Sequence, residues 1–146
     1  MSAKRFTLDT NILVYAVDSS AGDRHHRAQE VIEAMLAQDC VLTLQSLSEF
    51  YFTVTRKGKL PSVQAKKQVE GWQALFPVVA ASPATLNRAI AAVESSQLAF
   101  SDAMLWSAAR DAGVTLLLSE DFQNGQELSG VRIVNPFLGS GLAEVV

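Results

Sequence analysis

Four acidic residues lie where apolar segments end or where helix-like segments begin, namely Asp9, Glu49, Asp102 and Asp121. Asp9 directly follows the short apolar run that ends at Leu8, and Asp121 comes soon after the run 114–118. Bringing carboxylates together in a fold is costly unless a positive charge compensates them. If these residues meet in one cleft, the sequence therefore indicates a bound cation.

Each acid also has an ordinary structural explanation. Asp9 could cap a helix that begins at Thr10, and Asp102 could favour the positive end of its own helix. Glu49 could face solvent, and Asp121 could form a turn. For any single residue the structural role is the better interpretation; a joint role becomes favoured because all four fall on one expected edge of the fold.

Oxygen-only ligands favour the hard cations Mg²⁺ or Mn²⁺ over zinc. Such a cation binds a phosphate oxygen, lowers the pKa of a bound water and stabilises the departing oxygen. The chemistry that best suits the four acids is metal-dependent hydrolysis of a phosphodiester bond.

Other site chemistries find no support in the sequence. The two histidines, His25 and His26, are adjacent in a helical segment and point to different sides, so they cannot form a two-histidine metal site. Cys40 is the only thiol, which excludes a thiolate zinc site and a disulfide within the chain. The chain has no Gly-x-Ser-x-Gly elbow, no Gly-x-x-x-x-Gly-Lys phosphate loop and no Gly-x-Gly-x-x-Gly fingerprint.

The elements that must position the acids follow from hydrophobic periodicity. Helices are predicted over 10–17, 23–38, 46–57, 62–76, 83–95 and 101–112, with Asp23 and Ser101 as caps, and short strands over 4–8, 40–44, 76–80, 114–118 and 131–134. This alternation predicts a single α/β domain over residues 1–146 around a mostly parallel sheet. Ligands bind at the carboxyl ends of such strands, where the four acids are expected.

Bulk composition is that of a water-soluble domain. The 146 residues are 49% hydrophobic and 18% charged, with a formal net charge of −3, and no signal peptide or membrane-spanning segment is recognisable. We therefore expect a cytoplasmic protein. A net negative charge does not favour nucleic-acid binding. However, five of the twelve cations fall within 56–67, either as ordinary solvated residues or as phosphate contacts.

Four segments resemble, in order, the motifs of PIN domains. They are 6–15 (FTLDTNILVY), 46–50 (SLSEF), 101–103 (SDA) and 118–122 (LSEDF). The chain length and the closing segment 134–137 (VNPF) are similar to VapC-type toxins of bacterial toxin–antitoxin pairs. The resemblance covers essentially the whole chain and implies a three-layer α/β/α domain with four to five short central strands.

The resemblance also implies an activity and its residues. It implies a Mg²⁺- or Mn²⁺-dependent endoribonuclease, inhibited by a cognate small antitoxin and paired as a homodimer. Asp9 and Asp102 would be the principal metal ligands, Asp121 would complete the site directly or through water, and Glu49 would complete it too or position the attacking water. The residues that would orient these carboxylates are Thr10, Asn11 and Ser119.

The cations Arg56, Lys57 and Lys59 are candidates for gripping RNA phosphates on either side of the cleaved bond.

Alternative functions differ in what they require. A haloacid-dehalogenase-type phosphatase needs a second aspartate where Asn11 stands, and a response-regulator receiver needs a lysine near the end, whereas none follows Lys67. Two alternatives stay open: a PIN-like nuclease outside a toxin–antitoxin pair, for RNA processing or acting on DNA, and a degenerate domain that only binds a partner.

Overall fold

Helices alternate with short strands along the chain. The computed structural model describes residues 3–96, 98–139 and 142–146. Its helices are α1 (Thr10–Val17), α2 (Asp23–Met35), α3 (Leu44–Arg56), α4 (Ser62–Leu75), α5 (Pro83–Ser96) and α6 (Phe100–Asp111). Its strands are β1 (Phe6–Leu8), β2 (Leu42–Thr43), β3 (Val78–Val79), β4 (Leu116–Leu118), β5 (Glu127–Leu128) and β6 (Val131–Val134). Within the described ranges, no helix combines the length and apolar character needed to cross a membrane.

The central sheet has four strands in the order β1–β4–β6–β5. β1, β4 and β6 are parallel, and only the edge strand β5 is antiparallel. Leu8 pairs with Leu118, and Leu118 pairs with Val134, so the three parallel strands end at one edge. β2 and β3 form a separate parallel pair that a bridge between Phe6 and Cys40 joins to β1.

Hydrophobic residues on the two faces of the sheet enter different cores. Leu116 and Leu118 of β4 pack in the cluster formed by α1 to α4, whereas Leu117 between them packs with α5, α6 and β6. This alternation follows from the two-residue period of a strand. The result is a three-layer α/β/α arrangement around a mostly parallel sheet, which confirms the predicted fold class.

Several helix starts differ from the predictions. α3 begins at Leu44, two residues early, because the Thr43 hydroxyl caps it by accepting a hydrogen bond from the Ser46 amide. Asp23 is the first residue of α2 and not its cap, which is Gly22 at a φ of 65°. The prediction that Ser101 caps α6 is also wrong: the helix starts one residue earlier, and no side chain bonds at its cap position.

Strand β5 was not predicted from the sequence. It pairs with β6 as a hairpin whose two-residue turn is Ser129 and Gly130, with φ angles of 48° and 87°. A turn with positive φ at both positions matches the twist of the strands it joins. A strand of only two residues is too short to show the alternation of apolar and polar residues by which strands are predicted.

Candidate metal centre

Three aspartates from separate parts of the chain meet at the carboxyl edge of the sheet. Asp9 follows β1, Asp121 lies three residues after β4, and Asp102 occupies the first turn of α6. One carboxylate oxygen from each of the three lies within 4.8 Å of the others. The parallel pairing of β1 with β4 produces this convergence, because both strands end at the same level.

The three carboxylates differ in their exposure to solvent. Asp9 is buried, with 6% of its surface exposed, while Asp102 is half-buried and Asp121 is exposed. The cluster therefore extends from the protein interior to its surface. A ligand or substrate can approach it from the solvent side, which a fully enclosed cluster would prevent.

Hydrogen bonds fix the orientation of Asp9. The Ser119 hydroxyl donates to Asp9 Oδ2 at 2.6 Å, and the Thr10 amide donates to Oδ1 at 2.6 Å. The same Ser119 oxygen accepts a bond from the Asp121 amide at 3.0 Å. Ser119 thus links the two aspartates, and Asp9 also serves as the cap of α1.

The electrostatics of the cluster disfavour three negative charges without a cation. Burial raises the pKa of Asp9 to about 6, the bonds from Ser119 and Thr10 oppose that shift, and the charges of Asp121 and Asp102 add to it. Burial also raises the pKa of Asp102, together with repulsion from Asp121 and Glu49. A divalent cation would remove this penalty by compensating the charges.

Glu49 lies beside the three aspartates and is not part of their cluster. Glu49 is the sixth residue of α3, two positions further into the helix than predicted, because the helix begins at Leu44 and not at residue 46. Its Oε2 accepts a bond from the Thr10 hydroxyl at 3.0 Å. Its Oε1 accepts bonds from Gln45 at 3.0 Å and from Ser101 at 3.1 Å. Glu49 is therefore a carboxylate held in place by three side chains.

The donor set fits a hard divalent cation. Oxygens on opposite sides of one Mg²⁺ ion are about 4.2 Å apart, twice a bond length of about 2.1 Å. At most one pair among three ligands can be opposite, and adjacent oxygens are about 3.0 Å apart. The aspartate oxygens lie within 4.8 Å of one another, so direct binding by all three requires the side chains to draw closer together. The residues that would hold such an ion are Asp9, Asp102 and Asp121.

Two of the expected orienting residues make hydrogen bonds in the cluster, and the third does not. Ser119 and Thr10 bond to carboxylates as described above. The side-chain oxygen and nitrogen of Asn11 are buried and have no hydrogen-bond partner in the described chain. The orienting role of Asn11 stays a prediction.

The three expected phosphate contacts lie at and beyond the end of α3. Arg56 and Lys57 are exposed, and the Arg56 guanidinium lies 5.6 Å from the centre of the Phe52 ring. The Lys59 ammonium is already paired with Asp18 at 3.0 Å. Their RNA-binding role stays a prediction, and Lys59 would have to leave Asp18 to fulfil it.

Sequence reasoning missed two contributors near the site. Gln45 contacts Glu49 across one helical turn, a spacing that is readable in the sequence but common on any helix. Glu120, next to Asp121, accepts hydrogen bonds from Tyr15 and from Arg24, the latter at 2.9 Å. These bonds tie the segment that carries Asp121 to α1 and α2, a long-range contact with no local signal.

Solved structures with this fold include several toxin–antitoxin proteins. A toxin–antitoxin complex from Klebsiella pneumoniae matches with 19% identity and a TM-score of 0.64, over 93% of this chain and 98% of that chain. The sarcin–ricin loop cleaving toxin VapC20 of Mycobacterium tuberculosis matches with 15% identity and a TM-score of 0.64, over 87% and 98%. DNA-bound VapBC from Salmonella typhimurium matches with 16% identity and a TM-score of 0.65, over 89% and 96%. At these identities the likeness concerns the fold.

Family membership comes from a different comparison. No curated protein matches the chain. The sequence model of the PIN domain matches residues 6–123, a span that includes Asp9, Glu49, Asp102 and Asp121. Since this match covers most of the chain, the protein belongs to the PIN domain family.

Proposed function

We propose that this protein is a Mg²⁺- or Mn²⁺-dependent endoribonuclease that hydrolyses RNA phosphodiester bonds as the toxin of a VapBC-type toxin–antitoxin pair. The observation that carries the proposal is the meeting of Asp9, Asp102 and Asp121, whose carboxylate oxygens lie within 4.8 Å of one another. Membership of the PIN domain family and the fold shared with toxin structures support it.

Each carboxylate has a distinct task in this proposal. Asp9 and Asp102 would be the principal ligands of the cation, from a buried and a half-buried position, and exposed Asp121 would complete the site directly or through water. A divalent ion bound there supplies Lewis-acid stabilisation of the scissile phosphate and lowers the pKa of water. Glu49, fixed by three donors beside the three aspartates, orients the attacking water and accepts its proton.

Fewer observations support RNA as the substrate than support phosphodiester hydrolysis in general. One protein of the same fold is described as cleaving the sarcin–ricin loop, an RNA element. Exposed Arg56 and Lys57 provide cations that could bind phosphates despite the net charge of −3. The acids alone do not distinguish RNA from DNA.

A cleavage assay on matched substrates tests the proposal. Purified protein is incubated with single-stranded RNA and with single-stranded DNA of the same sequence, with Mg²⁺ and with excess EDTA. We expect internal cleavage of RNA with Mg²⁺ only, and no cleavage by Asp102→Asn. Preferential cleavage of DNA would favour a DNA-directed nuclease. A folded wild type that cuts neither substrate would favour a non-catalytic binding domain.

The biological setting of the proposal includes an inhibitory partner. Complexes of toxin with antitoxin occur among the structures that share this fold. We propose a cognate small antitoxin, a homodimeric state of the toxin and a location in the cytoplasm. Co-expression with the protein of a short adjacent gene is expected to abolish RNA cleavage and to yield a stable complex on size-exclusion chromatography. Cleavage unaffected by every adjacent small protein would place the nuclease outside such a pair.

A further inference from the structure

Gln45 connects the two helices that carry Glu49 and Asp102. Its side-chain nitrogen donates to Glu49 Oε1 at 3.0 Å and to the backbone oxygen of Ser101 at 3.2 Å. Both partners are acceptors, so the amide nitrogen and not the amide oxygen must face them. One N–H of the Gln45 amide therefore bonds to Glu49 on α3, and the other bonds to the first turn of α6.

This contact differs from an ordinary pair on the surface of a helix. A pair of polar side chains four residues apart stabilises an exposed helix by only about 0.2–0.5 kcal/mol. Gln45 also reaches a residue 56 positions away, and that residue immediately precedes Asp102. The Ser101 hydroxyl returns to the same Glu49 oxygen at 3.1 Å. Glu49, Gln45 and Ser101 therefore form a closed triangle beside the three aspartates.

We propose that Gln45 is a positioning residue for phosphodiester hydrolysis, which fixes the Glu49 carboxylate relative to Asp102. This proposal rests on the proposed nuclease function and adds a residue to it. Thr10 holds only Oε2 of Glu49, so without Gln45 the restraint on Oε1 from α3 is lost and only the Ser101 hydroxyl remains. The loss would affect the chemical step more than substrate binding.

The first test removes the donor and keeps the size of the side chain. Gln45→Met is uncharged and has a similar length and a high helix propensity. We expect kcat for RNA cleavage to fall about 10-fold, a part of the roughly 10²- to 10⁴-fold that a positioned general base contributes. We expect KM for RNA to change little and the affinity for Mn²⁺, measured by titration calorimetry, to stay the same. Gln64→Met, at an exposed position of α4, is the matched control.

The second test asks whether Gln45 acts through Glu49. In a double-mutant cycle, the effect of Gln45→Met should disappear in the Glu49→Gln background, under single-turnover conditions with excess enzyme. A residue that only supports the fold would produce the same loss in both backgrounds. Thermal unfolding of each variant, with Gln45→Ala as a second substitution, separates loss of positioning from loss of structure.

The outcomes distinguish this proposal from the one on which it rests. Full activity of Gln45→Met, or an equal loss in both backgrounds, would overturn the role of Gln45 and leave the nuclease function intact. A fall in Mn²⁺ affinity as large as the fall in kcat would also overturn it, because Gln45 would then act on the metal ligands. A folded wild type without metal-dependent cleavage would overturn both proposals.

Discussion

Asp9 carries the largest conflict between stability and function at the level of single residues. Burial raises its pKa to about 6, although Ser119 and Thr10 donate hydrogen bonds to its ionised form. An ionised buried carboxylate destabilises the folded state until a cation compensates it. Ionised Asp9 therefore lowers the stability of the metal-free protein, and a bound cation would offset this loss.

Replacing Asp9 by asparagine should stabilise the metal-free protein at neutral pH. A pKa of about 6 in the folded state against 3.8 for the unfolded chain corresponds to a penalty on the order of 3 kcal/mol once the residue is ionised. We expect the free energy of unfolding of Asp9→Asn, measured with urea at pH 7.5 in EDTA, to exceed the wild-type value. Glu94→Gln, an exposed position of α5, serves as a control for loss of charge.

The pH dependence of this difference has a defined sign. The folded state binds the Asp9 proton more tightly than the unfolded state does, so the favourable contribution is present below pH 3.8 and disappears as pH rises to about 6. The advantage of Asp9→Asn over wild type should be small near pH 4 and largest above pH 6. A difference that stays constant with pH would show that Asp9 is not the group responsible.

The affinity for a metal ion should also depend on whether the Asp9 carboxylate is protonated. A cation binds the ionised carboxylate, so protonation of Asp9 competes with it. We expect the dissociation constant for Mn²⁺, measured by titration calorimetry, to be nearly constant above pH 7. It should increase about 10-fold per pH unit below the Asp9 pKa of about 6. An affinity that is unchanged down to pH 4.5 would contradict the assignment of Asp9 as a ligand.

At the level of elements, strands were easier to predict than the contacts between helices. Asp9 and Asp121 were placed correctly at strand ends because the apolar runs before them define β1 and β4. The role of Ser101 was missed because serine at a helix start usually caps the helix, whereas its hydroxyl here bonds to Glu49, 52 residues away. That bond depends on the approach of α3 to the first turn of α6 in the folded protein, which residues near Ser101 in the sequence do not indicate.

Helix α3 holds Glu49 in place through the residue that follows it. Phe50 is fully buried, and its ring meets that of Trp72 on α4 edge to face at 4.8 Å. We expect Phe50→Ala to lower the free energy of unfolding by about 3–5 kcal/mol, measured with urea. Phe52→Ala, two residues along and 60% exposed, should change it by less than about 0.5 kcal/mol. Similar losses for both variants would mean that α3 packs through a different face.

At the scale of the whole molecule, the distribution of charge matters more than its total. The formal net charge is −3, and four acids surround the proposed cleavage site, so RNA must be attracted by local groups of cations. Arg56 and Lys57 are exposed, whereas Lys59 is paired with Asp18. Arg56 and Lys57 should therefore contribute more to RNA binding than Lys59.

The salt dependence of RNA affinity tests this ranking. In the Asp102→Asn background, which should not cleave, we expect the double variant Arg56→Ala/Lys57→Ala to bind RNA more weakly. The slope of log affinity against log salt should decrease by about 1.4, or about 0.7 for each lost phosphate contact on a single strand. Lys59→Ala should change the slope less. Equal slopes for all proteins, measured by fluorescence anisotropy, would place the RNA on another surface.

The central claim is that Asp9, Asp102 and Asp121 bind one divalent cation together. Its most direct test is a calorimetric titration with Mn²⁺ of wild type and of the three single aspartate-to-asparagine variants, at pH 7.5 and with folding of each variant verified by circular dichroism. We predict measurable binding to wild type and a loss of affinity of about 10-fold or more in each variant. Wild-type affinity in all three variants would show that these carboxylates do not share an ion.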